Sequence, residues 1–303
     1  MKKINIFYSL LFCMSQISGY GLPSLNLGNT NFLDGGPIRP SPGFYFFQYF
    51  DSYYSNKFTD NNGNKLKGLN KPHFNYFAGA TQLVYQTKDD FFLRAAGGVS
   101  FIVPYCISTH INKNDLGIID RGKGLGNIQI GGYLQWKPIN INNRPLFVHR
   151  LEVDFMIPQN TKELKNIIYP AATFFYIDIY WAATLYLTEK LALSWRINYL
   201  NTFKDKINDQ KIGNAIYTNY SLAYQTTEKL WLGINGYYLE QLQNNKFLGK
   251  VTPETKERTL GIGPGGVYFF SQDFVLFGHL YFESLTRNRP QGAKLAANIV
   301  IHF

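Results

Sequence analysis

In the stretch "FVHRLEVDF", Arg150, Glu152 and Asp154 occupy every second position. An extended strand turns alternate side chains to opposite faces, so these three share one face while Phe147, Leu151, Val153 and Phe155 share the other. One basic and two acidic groups on a strand face have two uses. They can line a charged filter or ligand site, or they can brace an interior through ion pairs, because a buried charge must find a partner to offset its desolvation. The same alternation puts Asp51, Arg94, Asp178, Arg196 and Glu283 on the equivalent face of their own segments, giving three basic against five acidic groups. Tyr133, Tyr176, Tyr180 and Tyr217 join them, either to stack on an aromatic ligand or to fill a narrow lumen.

Other chemistry is poorly supplied. Barrel phospholipases bring a Ser and a His close together, but His149 is followed by Arg150 and Leu151 and by no Ser two residues on. His73, His110, His279 and His302 also lack such a partner in sequence, although nucleophile and base need only meet in space. No HxxxH or HExxH pattern occurs, and Cys106 is the single cysteine outside the leader, so neither a metal, a cofactor nor an intramolecular disulfide is expected. The chain is read as a non-enzyme, with a phospholipase-like hydrolase as a minor alternative. "GIGPGG" at 261–266 is followed by the strand-like "VYFF" and not by a helix, which argues against phosphate binding. Its glycines would let a strand bend or leave room for a segment packed inside.

These residues need elements to hold them. The 303-residue chain has 22 Tyr and 25 Phe but only 17% charged residues. Lys2 and Lys3, an apolar run from Ile4 to Met14 and small residues at Ser18, Gly19 and Gly21 read as a cleaved secretory signal peptide over 1–21. Phe12 is too large to precede a lipid-attached Cys13. Beyond it no run reaches the roughly 18 apolar residues of a membrane helix. Instead, twelve segments of strand length follow, near 43–56, 72–87, 91–106, 126–137, 144–157, 170–186, 190–201, 214–225, 229–242, 259–270, 274–284 and 294–303. Their alternation recurs in "NIQIGGYLQW" and "LALSWRINY", and in the final strand, where Leu295, Ala297, Ile299, Ile301 and Phe303 oppose Lys294, Ala296, Asn298 and His302.

Long connections at 57–71, 107–125, 158–169, 202–213, 243–258 and 285–293 interleave with short ones such as "KDD", "LTE", "TTE" and "SQD". A transmembrane barrel sorts its loops in this way, and an even strand number fits a single-chain bacterial barrel. The fold expected is therefore an all-β, transmembrane antiparallel β-barrel of about 12 strands, of outer-membrane type, spanning 43–303. Long loops would face outward and both termini would lie in the periplasm. Phe303 would then end the last strand at the inner interface and serve as the signal read by the barrel assembly machinery. Residues 22–42, rich in Gly, Pro and Asn, would form a periplasmic lead-in or a plug in the lumen.

Several stretches resemble the outer-membrane family associated with the meta pathway of phenol degradation. They are "GPIRPSPGFYFFQYFDSYYSNKFTDNNGNKLKG", "GLGNIQIGGYLQWKP", "HRLEVDFMIPQ" and "GINGYYLEQLQNNKFLGKVTPETKERTLGIGPGGVYFFSQD". The family often carries an acid directly after its "GLG", where this chain has Asn127. The resemblance implies a transporter-like β-barrel with a part in taking up aromatic or other hydrophobic compounds, and it supplies no catalytic residue.

The formal charge of +10 is concentrated in the long connections. Lys65, Lys67, Lys250, Arg258, Arg287 and Arg289 would form a basic rim that either pairs with lipopolysaccharide phosphates or keeps a loop surface soluble. No nucleic-acid partner is expected. The partners implied are outer-membrane lipid, lipopolysaccharide, the assembly machinery and a small hydrophobic ligand. The function expected is a channel or importer for small hydrophobic or aromatic compounds in the outer membrane of a Gram-negative bacterium. A non-transporting structural or surface-interaction barrel is the alternative.

Overall fold

The computed structural model describes residues 22–23, 25–36, 41–67, 72–88, 91–111, 123–158, 171–205, 207 and 209–303. The signal peptide expected at 1–21 lies outside these residues, as do residues 24 and 37–40 of the N-terminal segment.

Twelve long strands build the fold: β1 (Gly43–Phe58), β2 (Phe74–Gln86), β3 (Ala95–Ile111), β4 (Ile128–Trp136), β5 (Arg144–Ile157), β6 (Tyr176–Tyr186), β7 (Leu191–Thr202), β8 (Ala215–Gln225), β9 (Leu230–Gln241), β10 (Arg258–Phe269), β11 (Phe274–Arg287) and β12 (Pro290–His302). Each pairs antiparallel with the next. β12 returns to pair with β1, from Tyr45 opposite His302 to Phe58 opposite Pro290. The sheet is therefore a closed barrel with no free edge. Two short pieces, Gly124–Leu125 and Ile139–Ile141, add to it beside β3 and β5.

The period-two sequence pattern dictates which face turns inward, and the result inverts a soluble protein. Along β7, Ala192, Ser194, Arg196, Asn198 and Thr202 are buried, while Leu193, Ile197 and Tyr199 are exposed. Leu151, Phe155, Ile179, Trp181, Leu222, Leu232, Ile234, Ile262, Phe282 and Leu295 extend the exposed apolar band around the outside. Water would penalise such a band, whereas lipid takes it without cost. Aromatic groups gather towards both ends of the wall. Phe44 stacks on Phe303 and Phe270 on Phe274 beside the short turns, and Phe155, Phe175 and Phe203 form a chain towards the long loops.

Two expectations are corrected. The segment expected to be a strand from 91 begins only at Ala95, because Leu93 and Arg94 take left-handed backbone angles (φ 50° and 60°) in a turn bridged by Phe92 and Ala95. Arg94 is consequently exposed at a short turn and does not face the lumen. The connection expected at 285–293 is also not a long one. Strand pairing continues to Arg287 and resumes at Pro290, leaving Asn288 and Arg289 as the turn, with Leu285 and Asn288 left-handed (φ 51° and 50°). Thr59 N–H then donates to Arg289 C=O (3.1 Å) and Asn288 N–H to Asp60 C=O (3.1 Å), which extends the closing seam past the end of β1.

Candidate functional site

One wall of the lumen is made by β4 to β8. Strand alternation aims Arg150, Glu152 and Asp154 of β5 inward, next to Tyr176, Asp178 and Tyr180 of β6, Arg196 of β7 and Tyr217 of β8. Register sets Glu152 opposite Tyr180 and Asp154 opposite Asp178. The Tyr180 hydroxyl donates to Glu152 and the Tyr217 hydroxyl to Asp178. Gln129 donates to Asp154 Oδ2 (2.7 Å), and Arg150 Nη2 donates to Tyr180 Oη (3.1 Å). The Arg196 guanidinium lies 4.0 Å over the Tyr180 ring centroid. Tyr133 of β4 folds over the bare backbone of Gly98 and donates its hydroxyl to Gln86 (3.0 Å), so its ring is pinned against the wall.

The opposite wall is formed by β9 to β12 with β1. Glu283 accepts from the Tyr53 hydroxyl (2.6 Å), the Tyr237 hydroxyl (2.8 Å) and Gly292 N–H (2.9 Å). Asp51 pairs with Lys294 at 3.3 Å. His279 Nδ1 meets Asn235 Oδ1 at 2.7 Å, and the Tyr281 hydroxyl reaches the same oxygen at 2.5 Å.

Between the walls run residues 22–23 and 25–36, inside the barrel and along its length. Leu22 N–H donates to Glu257 (2.8 Å) near the long loops, Gly28 N–H to Asn219 (2.9 Å) at mid-height, and Gly35 N–H to Thr184 (2.9 Å) near the short turns. Asn31 Nδ2 donates to Tyr220 C=O (3.0 Å) and Gly236 C=O (2.6 Å), while Ser221 donates back to Asn31 C=O (2.8 Å). Lys294 Nζ donates to Leu27 C=O and Asn29 Oδ1, both at 2.7 Å. Asp34 accepts from Arg196 through both oxygens, at 2.7 and 2.6 Å. Phe32 is 2% exposed among Val148, Tyr186, Ala192, Ala223, Trp231, Val267 and Val275. The glycines of β10 make room for it: a Cβ on Gly265 would lie 2.8 Å from the Phe32 ring. At Gly28 glycine is needed twice over, with φ at 79° and the Tyr237 and Tyr281 rings 2.7 Å from where a Cβ would stand.

A closed twelve-stranded wall, apolar outside and polar within, is the architecture of a membrane barrel, and the comparisons with known proteins agree on the fold. Residues 55–299 match the family described as "Putative MetA-pathway of phenol degradation". The chain belongs to that family. The crystal structure of an outer membrane channel from Pseudomonas putida F1 superimposes with a TM-score of 0.76 at 15% identity, covering 88% of this chain and 97% of that one. A Pseudomonas aeruginosa FadL homologue (TM-score 0.43, 12% identity, 90% and 93% covered) and a deletion mutant of the TodX monoaromatic hydrocarbon channel (TM-score 0.49, 11% identity, 95% and 99% covered) are more distant. No curated protein matches the chain at a significant level. This member of the phenol-degradation family is a closed β-barrel whose apolar outer face suits membrane lipid.

Of the residues singled out from sequence, Asp51, Tyr133, Arg150, Glu152, Asp154, Tyr176, Asp178, Tyr180, Arg196, Tyr217 and Glu283 line the lumen of this family member, and Arg94 does not. The rim divides. Lys65, Lys67, Lys250 and Arg287 are exposed. Arg258, at the start of β10, is held by both oxygens of Glu240, and Arg289 turns towards Glu257 (2.6 Å), so these two are engaged within the barrel's own ion pairs. Sequence reasoning missed Asp34, Asn219, Asn235, Tyr281 and Lys294. Lys294 carried a signal, since it falls on the polar face of the last strand, but Asp34 sits in a stretch with no period to betray it.

Proposed function

We propose that this barrel is an outer-membrane channel for small hydrophobic or aromatic compounds, closed at rest by residues 22–36 seated in its lumen as a plug. The observation that carries the reading is the way that segment is held. Its described residues join no strand of the barrel, and hydrogen bonds from both walls, with the ion pair of Asp34 and Arg196, support it along its length. A segment so fixed can leave without breaking the sheet. Twelve strands enclose more room than the eight that side chains alone can fill, yet less than the sixteen that hold an open aqueous channel. The plug supplies the missing occlusion.

The tyrosine-rich wall of β4 to β8 and the family membership support an aromatic or otherwise hydrophobic cargo, and transport rather than hydrolysis as the activity. Residues 1–21 are read as the cleaved leader, the long loops as external and the exposed Lys65, Lys67, Lys250 and Arg287 as the lipopolysaccharide-facing set. Deleting residues 24–40 should raise single-channel conductance in planar bilayers and speed uptake of toluene by cells. A deleted form that folds, stays closed to ions and leaves uptake equal to that of cells lacking the protein would refute the channel and leave a structural barrel in its place.

A further inference from the structure

Phe32, Leu33 and Asp34 place an aromatic ring and a carboxylate two residues apart in the lumen. The ring enters an apolar pocket of Val148, Tyr186, Trp231 and Val267, stacked at 5.6 Å on His279. The carboxylate meets the planar fork of Arg196, whose Nε and Nη2 each donate to one oxygen, and Arg150 Nη2 stands 3.9 Å from the same group. Two parallel N–H donors of this kind match a carboxylate in geometry as well as charge. The guanidinium itself is backed by the Tyr180 ring at 4.0 Å, and Arg150 by Tyr133 and Tyr180 at 5.7 and 5.5 Å.

Among the described residues, Asp34 is the ion-pair partner of Arg196 within 4.0 Å. Among the described residues, Glu152 comes within 4.0 Å of Arg150 alone, at 3.9 Å, and Asp154 and Asp178 come that close to neither arginine. When the segment leaves, the Arg196 fork faces the vacated lumen without Asp34, and a carboxylate from elsewhere can take that place. The pocket that Phe32 vacates is lined by Val148, Tyr186, Trp231 and Val267 with the His279 ring.

We propose that Arg196 and Arg150, together with the pocket that holds Phe32, form a lumenal binding site for aromatic carboxylic acids, and that Phe32 and Asp34 occupy it in cis. The inference rests on the channel reading above and narrows its cargo. Ligand and plug compete for one site, so the ligand favours the state in which the segment has left.

Equilibrium dialysis of labelled benzoate against the detergent-purified full-length protein tests this, with benzyl alcohol as the neutral counterpart. Replacing both occupants, in Phe32→Ala/Asp34→Ala, should tighten benzoate binding at least tenfold over the unaltered chain and leave benzyl alcohol behind. Adding Arg196→Gln should remove that gain, and Arg196→Lys, which keeps the charge without the fork, should recover only part of it. Benzoate binding that is no tighter in the double variant, or that survives Arg196→Gln, overturns the proposal. If the Arg196→Gln form does not migrate as a folded barrel on an unheated gel, Arg150→Gln in the same background is read instead, with at least a threefold loss expected and no loss overturning the site. Toluene uptake by the 24–40 deletion separates the two ideas, because it reports on the channel whether or not benzoate binds.

Discussion

Phe32→Ala is the most direct probe of what keeps the lumen closed. The ring is 2% exposed, and its neighbours belong to a closed, hydrogen-bonded wall that cannot collapse into the space a deletion leaves. Gly265 and Ala223 contribute no bulk that could swing inward. The loss should therefore fall within the usual range for a buried Phe→Ala change, about 3–5 kcal/mol. At roughly 1.4 kcal/mol per factor of ten, seating of the segment shifts about 100- to 4,000-fold towards the withdrawn state. The barrel keeps its strand pairing, so the effect should appear as gating and not as unfolding. Single-channel recording reads it as a rise in open probability, and limited proteolysis as faster cleavage within 22–36, while heat-dependent gel migration stays unchanged. An open probability within threefold of the unaltered protein, in a variant that migrates as folded, would show that burial of Phe32 does not hold the segment.

Three further outcomes are expected. With Cys106 replaced, cysteine at Asn62 should react with an impermeant reagent on intact cells and cysteine at Gln272 should not, and the reverse pattern would invert the barrel; Asn208, the other long-loop position suited to this test, lies outside the described residues. Replacing Lys65, Lys67, Lys250 and Arg287 with Gln should at least halve the lipopolysaccharide retained on purification, whereas Arg258→Gln and Arg289→Gln should lower thermal stability instead, since their partners Glu240 and Glu257 would lose a charge-assisted bond of about 1.5–3 kcal/mol. Deleting Phe303 removes the paired bonds it makes with Phe44 (2.9 and 3.1 Å) and the ring that stacks there, and should reduce the folded barrel in outer membranes several-fold by gel migration; an unchanged amount would remove its role in assembly.

The wall was legible in the sequence because a strand's period is local. Whether Arg150, Glu152 and Asp154 share a face depends only on alternation, and membrane barrels keep that alternation unbroken from turn to turn. The sequence reading erred where local backbone overrode the pattern. Leu93 and Arg94 carry strand-like side chains but turn left-handed, and 285–293 looks loop-like although strand pairing runs on to Arg287 and resumes at Pro290. Arg258 and Arg289 were assigned to the rim by loop membership, and the structure adds that each is paired there, with Glu240 and Glu257.

What lies inside the wall is a different matter. Residues 22–36 have no period, and their contacts reach partners such as Thr184, Asn219 and Lys294, far along the chain. Composition marks the stretch as unpatterned, which suits a free lead-in and a plug equally well. Sequence alone determined that a membrane barrel would form and, wherever the strand pattern held, which side chains would turn inward. Only the tertiary structure decided that Phe32 and Asp34 would find a pocket and an arginine fork there, because closing the sheet brings Arg196, Gly265 and His279 from β7, β10 and β11 around one space, and no local rule records that meeting.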